Sequence, residues 1–140
     1  MARALVDTGA VVALVNRADR HHAAAVDWFR SFRGQLLTTD AVVTEAAYVL
    51  AASAPHQRAA LIWFERARAA GLLRVEPVAD YAALARIIDQ YAALPCDYAD
   101  ATLIALAERT GVASIATLDR RDFSVYRLRG RQRFRVLLGA

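Results

Sequence analysis

Apolar residues in this chain fall into short runs that alternate with longer stretches of helical spacing. Ala4, Leu5 and Val6 form a compact apolar strand that stops at Asp7, and Thr8-Gly9 turns the chain into an apolar helical segment reaching Leu14. Residues 16–20 are polar and read as a loop. Over residues 21–33 the spacing of Ala25, Trp28, Phe29 and Phe32 predicts an amphipathic helix. Leu36-Leu37 is a second short strand, and Thr38-Thr39-Asp40 reads as the start of a helix over 41–52. Its broad apolar face carries Val42, Val43, Ala46, Val49 and Leu50, and Glu45 lies close to that face rather than opposite it. A helix over 57–70, a strand over 72–75 and a helix over 79–93 follow, the last burying Leu84, Ile87, Ile88 and Tyr91.

The stretch 95–123, PCDYADATLIALAERTGVASIATLDRRDF, organises the rest. Leu103, Ile104, Leu106 and Ala107 recur at helical spacing, and Thr110-Gly111 is the stop. Residues 112–118 are short, apolar and partly β-branched, as in a buried strand, and Asp119 sits just beyond its carboxyl end. Asp97 and Asp100 stand three residues apart at the helix start, where they share a face. Each aspartate also suits a purely local job, as a helix cap or turn former. In the tail, arginines at 127, 129, 131, 133 and 135 alternate, which on an extended chain aims them to one side, and residues 134–138 read as a last edge strand.

Strands alternating with helices predict an α/β fold with a parallel sheet covered on both faces and right-handed connections. Ligands of such sheets collect at the carboxyl ends of the strands. Asp7, Glu45, Asp97 or Asp100, and Asp119 can therefore converge on one sheet edge.

Composition narrows the chemistry. A chain of 140 residues with 57% hydrophobic composition is expected to fold as one domain, 1–140. No apolar run is long enough to span a bilayer and no leader pattern opens the chain, so a cytoplasmic protein is expected. One cysteine, Cys96, excludes an internal disulfide and reads as a small buried apolar residue. His21 and His22 are adjacent, point different ways on a helix and make a poor metal pair. Glu65 and Glu108, each close to arginines, read as solvated charge. The formal charge is +4, and all the basic residues other than histidine are arginine. Without lysine, Walker-type phosphate loops, receiver domains and haloacid-dehalogenase-like phosphatases are disfavoured, and no G-x-G-x-x-G loop supports a dinucleotide site.

Carboxylates that converge need protons or a cation. Two like charges about 4 Å apart repel by roughly 4 kcal/mol at an effective dielectric near 20. Carboxylate ligation suits a hard divalent ion such as Mg²⁺ or Mn²⁺, which accepts phosphate oxygens and activates water. An acidic centre in a basic chain is the charge pattern of metal-dependent nucleic acid cleavage.

The motifs then resemble a known family. Val6-Asp7-Thr8-Gly9-Ala10 resembles the opening D-[ST]-[SG]-A of PIN-domain ribonucleases, and within them of the VapC toxins of toxin–antitoxin pairs. Thr44-Glu45 resembles the second acidic position, Ala99-Asp100-Ala101 with Leu103-Ile104 the third, and Thr117-Leu118-Asp119 with Asp122-Phe123 the fourth. The resemblance spans essentially the whole chain. It implies a doubly wound PIN fold with a mainly parallel sheet, a Mg²⁺- or Mn²⁺-dependent endoribonuclease that cuts structured RNA such as tRNA or rRNA, a homodimer, and inhibition by a VapB-type antitoxin. Carried over, Asp7, Glu45, Asp100 and Asp119 form the metal cradle, Asp7 and Asp100 foremost. Asp97 and Asp122 are auxiliary, Thr8 and Thr117 orient carboxylates or water, and Arg120, Arg121, Arg127 and Arg129 are phosphate contacts. The alternatives are a PIN-like housekeeping nuclease and a non-catalytic RNA- or protein-binding module on the same fold.

Overall fold

A computed structural model describes residues 2–94 and 96–138; Pro95, at the head of the stretch singled out above, lies outside them, as do Met1, Gly139 and Ala140. The chain runs β1 (Ala2–Val6), α1 (Thr8–Val15), α2 (His22–Ser31), β2 (Gly34–Thr39), α3 (Asp40–Val49), α4 (Ala54–Ala69), β3 (Leu73–Glu76), α5 (Tyr81–Gln90), α6 (Tyr98–Thr110), β4 (Ser114–Ala116), α7 (Arg120–Phe123), β5 (Arg127–Leu128), β6 (Gln132–Arg133) and β7 (Arg135–Val136). The main sheet has the order β3-β2-β1-β4-β7, and every pairing in it is parallel. The order reverses direction between β1 and β4, which places a crevice at their carboxyl ends.

Helices cover both faces. Alternate residues of β1 point to opposite sides, so Ala4 and Val6 pack in one core with Val11, Ala25 and Phe64, while Leu5 packs in another with Leu84, Leu103 and Ile104. α3 joins the two layers, because Val42 belongs to the second core and Ala46 to the first. The central helix is α6, which buries Ala99, Ala101, Thr102, Leu103, Ile104, Leu106 and Ala107. Asp97 caps its start, and Gly111 ends it in the left-handed conformation (φ 74°) that a Cβ would oppose.

Several boundaries differ from the sequence reading. β2 has six residues rather than the pair Leu36-Leu37, because Thr38 and Thr39 continue the strand with satisfied hydroxyls. Thr38 donates to the Val6 carbonyl at 2.8 Å, and Thr39 bonds the Thr102 hydroxyl at 2.8 Å while also capping α3. α4 starts at Ala54, earlier than expected, since Ser53 supplies the cap and Pro55 suits the first turn. β4 has only three residues, and α7 was not foreseen.

The tail is the main correction. It is no single extended strip: β5 and β6 form an antiparallel ribbon, turned by Arg129 (φ 51°) and Gly130 (φ 72°), before β7 joins the sheet edge. The alternating arginines therefore do not line up on one side. Glu108 is also not solvated charge. Its side chain is 13% exposed, accepts the Arg129 N–H at 2.6 Å and faces Arg86 at 3.7 Å.

Candidate active site

β1 and β4 are neighbours, with Val6 in register with Ala116, so the residues after each strand meet at one end of the sheet. Asp7 is buried there. Its Oδ1 accepts the Ala10 N–H at 3.1 Å, as the cap of α1, and its Oδ2 accepts the Thr117 hydroxyl. Thr117 is itself buried and receives the Asp119 N–H at 2.9 Å, which fixes the turn after β4. Asp119 caps α7, its Oδ1 accepting the Asp122 N–H at 3.0 Å. On α6 the Asp97 carboxylate accepts the Asp100 N–H at 2.8 Å, and the Asp100 Oδ2 accepts the Tyr126 hydroxyl at 3.0 Å. Glu45 reaches in from α3 beside Thr8 and Asp97.

These side chains surround one open pocket of about 510 Å³, lined by Asp7, Thr8, Gly9, Glu45, Asp97, Asp100, Leu118, Asp119 and Asp122. Other clefts on the surface are larger, such as one of about 720 Å³ over α2 and α4, but carry no comparable cluster of carboxylates. Crowding raises the acids. Asp7 is pushed up to about 6, chiefly by burial; the Asp119 and Glu45 charges add to this, and the Thr117 and Ala10 hydrogen bonds oppose it. Asp100 is pushed up to about 7, by burial first and the Asp97 charge second. Burial and the Asp97 charge also raise Glu45, and burial followed by contact with Asp119 raises Asp122.

A pH dependence follows, with its sign set by linkage. The folded Asp7 titrates near 6 against 3.8 for the free group, so between those values the folded chain holds more protons than the unfolded one. Stability therefore falls as pH rises through that window, and Asp100 extends the fall toward pH 7. Asp7 alone is worth about 1.4 kcal/mol between pH 5 and pH 8. Urea unfolding of EDTA-treated protein should show a higher midpoint at pH 5 than at pH 8; a flat or opposite profile would mean that the pocket is not under charge strain.

Comparison with known proteins now decides the family. The PIN domain family model matches residues 4–128. Ribonuclease VapC26 of Mycobacterium tuberculosis is 32% identical over 133 residues, covering 95% of this chain and 98% of that protein. The chain belongs to the PIN-domain family. Within it, the match to a curated relative along nearly the full length groups it with the VapC ribonucleases. The crystal structure of M. tuberculosis VapC20, titled a sarcin-ricin loop cleaving toxin, superposes with a TM-score of 0.66. It is 23% identical and the match covers 81% of this chain and 87% of that one, a likeness of fold.

In this PIN domain the expected acids Asp7, Glu45, Asp97, Asp100, Asp119 and Asp122 share one pocket, Thr8 lines it, and Thr117 stands directly behind Asp7. Not all the arginines join them. Arg127 turns its guanidinium onto the Ser124, Val125 and Tyr126 carbonyls, and Arg129 bonds the Glu108 carbonyl at 3.2 Å. Arg120 and Arg121 are exposed on α7 next to Asp119. Sequence reasoning missed Tyr126, whose buried hydroxyl is bonded to Asp100; an aromatic residue between Val125 and a run of arginines was the available signal.

The donors are carboxylate and hydroxyl oxygens, which fit a hard divalent cation rather than a soft one. Among the described residues no three His, Cys, Asp or Glu side chains already stand as a group that could hold a metal ion. Asp7, Asp97 and Asp119 are each tied to a backbone N–H. Asp7, Asp100, Asp119 and Glu45 are the residues that could close on a cation. Among the described residues no helix is long and apolar enough to cross a membrane.

Proposed function

We propose that this VapC-type PIN domain is a Mg²⁺- or Mn²⁺-dependent endoribonuclease, the toxin of a type II toxin–antitoxin pair acting in the cytoplasm. One observation carries the reading: six carboxylates line a single pocket at the carboxyl ends of β1 and β4, with Asp7 and Asp100 raised well above the ordinary range. Such a site is under strain until positive charge enters it.

Asp7 and Asp100 would hold the cation first, Asp119 and Glu45 would complete the set, and Asp97 and Asp122 would act on them from beside. When bound, the cation supplies Lewis acidity toward the phosphodiester and its attacking water. The chain's own residues do the rest. Thr117 and the Ala10 N–H hold Asp7 in one rotamer, and Thr8 steadies Glu45. Arg120 and Arg121, exposed on α7, receive RNA phosphates, and Arg127 and Arg129 have their guanidinium groups turned onto backbone carbonyls. The substrate is a structured RNA, tRNA or rRNA, read at exposed loop bases. A homodimer is the expected assembly, and a VapB-type antitoxin inhibits by covering the pocket.

Total bacterial RNA incubated with purified protein should give discrete products with Mg²⁺ or Mn²⁺ and none with EDTA. Folded, antitoxin-free protein that cuts nothing under either metal would move the reading to a binding module, and, with DNA assayed in parallel, cleavage confined to DNA would move it to a housekeeping nuclease.

A further inference from the structure

Resting on the nuclease reading, we infer that Tyr126 is a positioning residue that locks the Asp100 carboxylate toward the metal-binding pocket. Tyr126 is 0% exposed and does not line the pocket itself. Its ring packs edge-on against Tyr91 and Phe123, with both centroids 5.0 Å away. Its backbone is tied down as well: the Tyr126 N–H donates to the Asp122 carbonyl at 3.0 Å, and the next N–H, of Arg127, donates to the Tyr91 hydroxyl at 2.8 Å. A phenol held at ring and backbone keeps its hydroxyl at this end of the pocket, beside the Cys96 thiol, and that hydroxyl donates to the Asp100 Oδ2 at 3.0 Å.

Asp100 needs such a peg. It stands in the first turn of α6 among the charges of Asp97, Asp7 and Asp119, and a free carboxylate there would swing toward solvent to escape them. With Oδ2 anchored from behind, the carboxyl group stays in the pocket and Oδ1 remains for a cation. The aromatic cluster under α7 thereby reaches the site through one oxygen atom. This is the outer support that metal-ligating carboxylates commonly have, whose removal costs about 10- to 100-fold in metal affinity.

Tyr126→Phe removes that oxygen and keeps the ring, so the protein should fold. Calorimetric titration with Mn²⁺ alone should show affinity lowered by about 10- to 100-fold, and the Mn²⁺ midpoint for RNA cleavage should rise in step while the rate at saturating Mn²⁺ recovers. Phe134→Leu disturbs the same cluster, where Phe134 meets Phe123 edge-on at 5.4 Å, without touching a hydroxyl, and should leave Mn²⁺ affinity unchanged. In an Asp100→Asn background Tyr126→Phe should lower Mn²⁺ affinity no further. Wild-type Mn²⁺ affinity in Tyr126→Phe, or an equal loss in Phe134→Leu, overturns the positioning role while the nuclease reading stands. A wild-type protein that binds no Mn²⁺ and cuts no RNA brings down both.

Discussion

Replacing Asp100 or Asp7 with asparagine should lower the single-turnover rate of RNA cleavage by at least about 10³-fold, roughly 4 kcal/mol of transition-state stabilisation. The fold should survive. Asparagine is nearly isosteric and caps helices as well as aspartate does, so Asp7→Asn keeps the start of α1. Both substitutions also delete a carboxylate whose raised pKa shows that ionisation costs the folded state free energy. In metal-free buffer at pH 8 the variants should therefore unfold at equal or higher urea than the parent, and the pH slope of stability should shrink. Loss of activity with gain of stability is a signature that a structural aspartate does not produce. Activity within tenfold of wild type, in protein free of contaminating nuclease, would remove these residues from the cation set.

Phe123→Ala should destabilise the protein by about 3 to 5 kcal/mol, seen as a fall in thermal midpoint of roughly 10 to 20 °C. Phe123 is 0% exposed and is the shared partner of Tyr126 and Phe134, with ring centroids at 5.0 and 5.4 Å and planes nearly perpendicular. Truncation leaves a cavity bounded by aromatic faces that cannot collapse cheaply. It also frees α7, whose four residues are too few to hold helical shape without their buried end. Because Asp119 caps that helix and Asp122 lies within it, cleavage should fall even at temperatures where the variant remains folded. A destabilisation below 1 kcal/mol would show that the cluster is loosely packed.

The parts legible in the sequence were those set by local pattern. Val6-Asp7 and the turn through Asp119 announced themselves as strand ends, and Asp97 as a helix cap, because one strand or one helix turn contains the whole signal. That Asp7 and Asp119 belong together depended on β1 and β4 being neighbours, which only the order of the sheet settles. The tail misled because arginine at every second position mimics the period of a strand, whereas a non-glycine residue at positive φ, Arg129, breaks it into a ribbon. Glu108 was misread for a related reason: its partner is the backbone N–H of Arg129, twenty-one positions away, while its visible neighbour Arg109 turns to Glu76. Non-local pairing also hid Tyr126, which lies twenty-six positions from Asp100.

The sheet order has a bearing on synthesis. β1 is made before both of its neighbours in the sheet, yet it gains the second only when β4, residues Ser114–Ala116, has emerged. The bond from Thr117 to Asp7 closes a loop of 110 residues, and Asp119, Asp122 and the Tyr126 anchor follow later still. A nascent chain with most of its helices formed therefore has half a pocket. Contacts of such long range are the last to be rewarded in folding. A nuclease so built cannot complete its carboxylate pocket until the segment that follows β4 has been made.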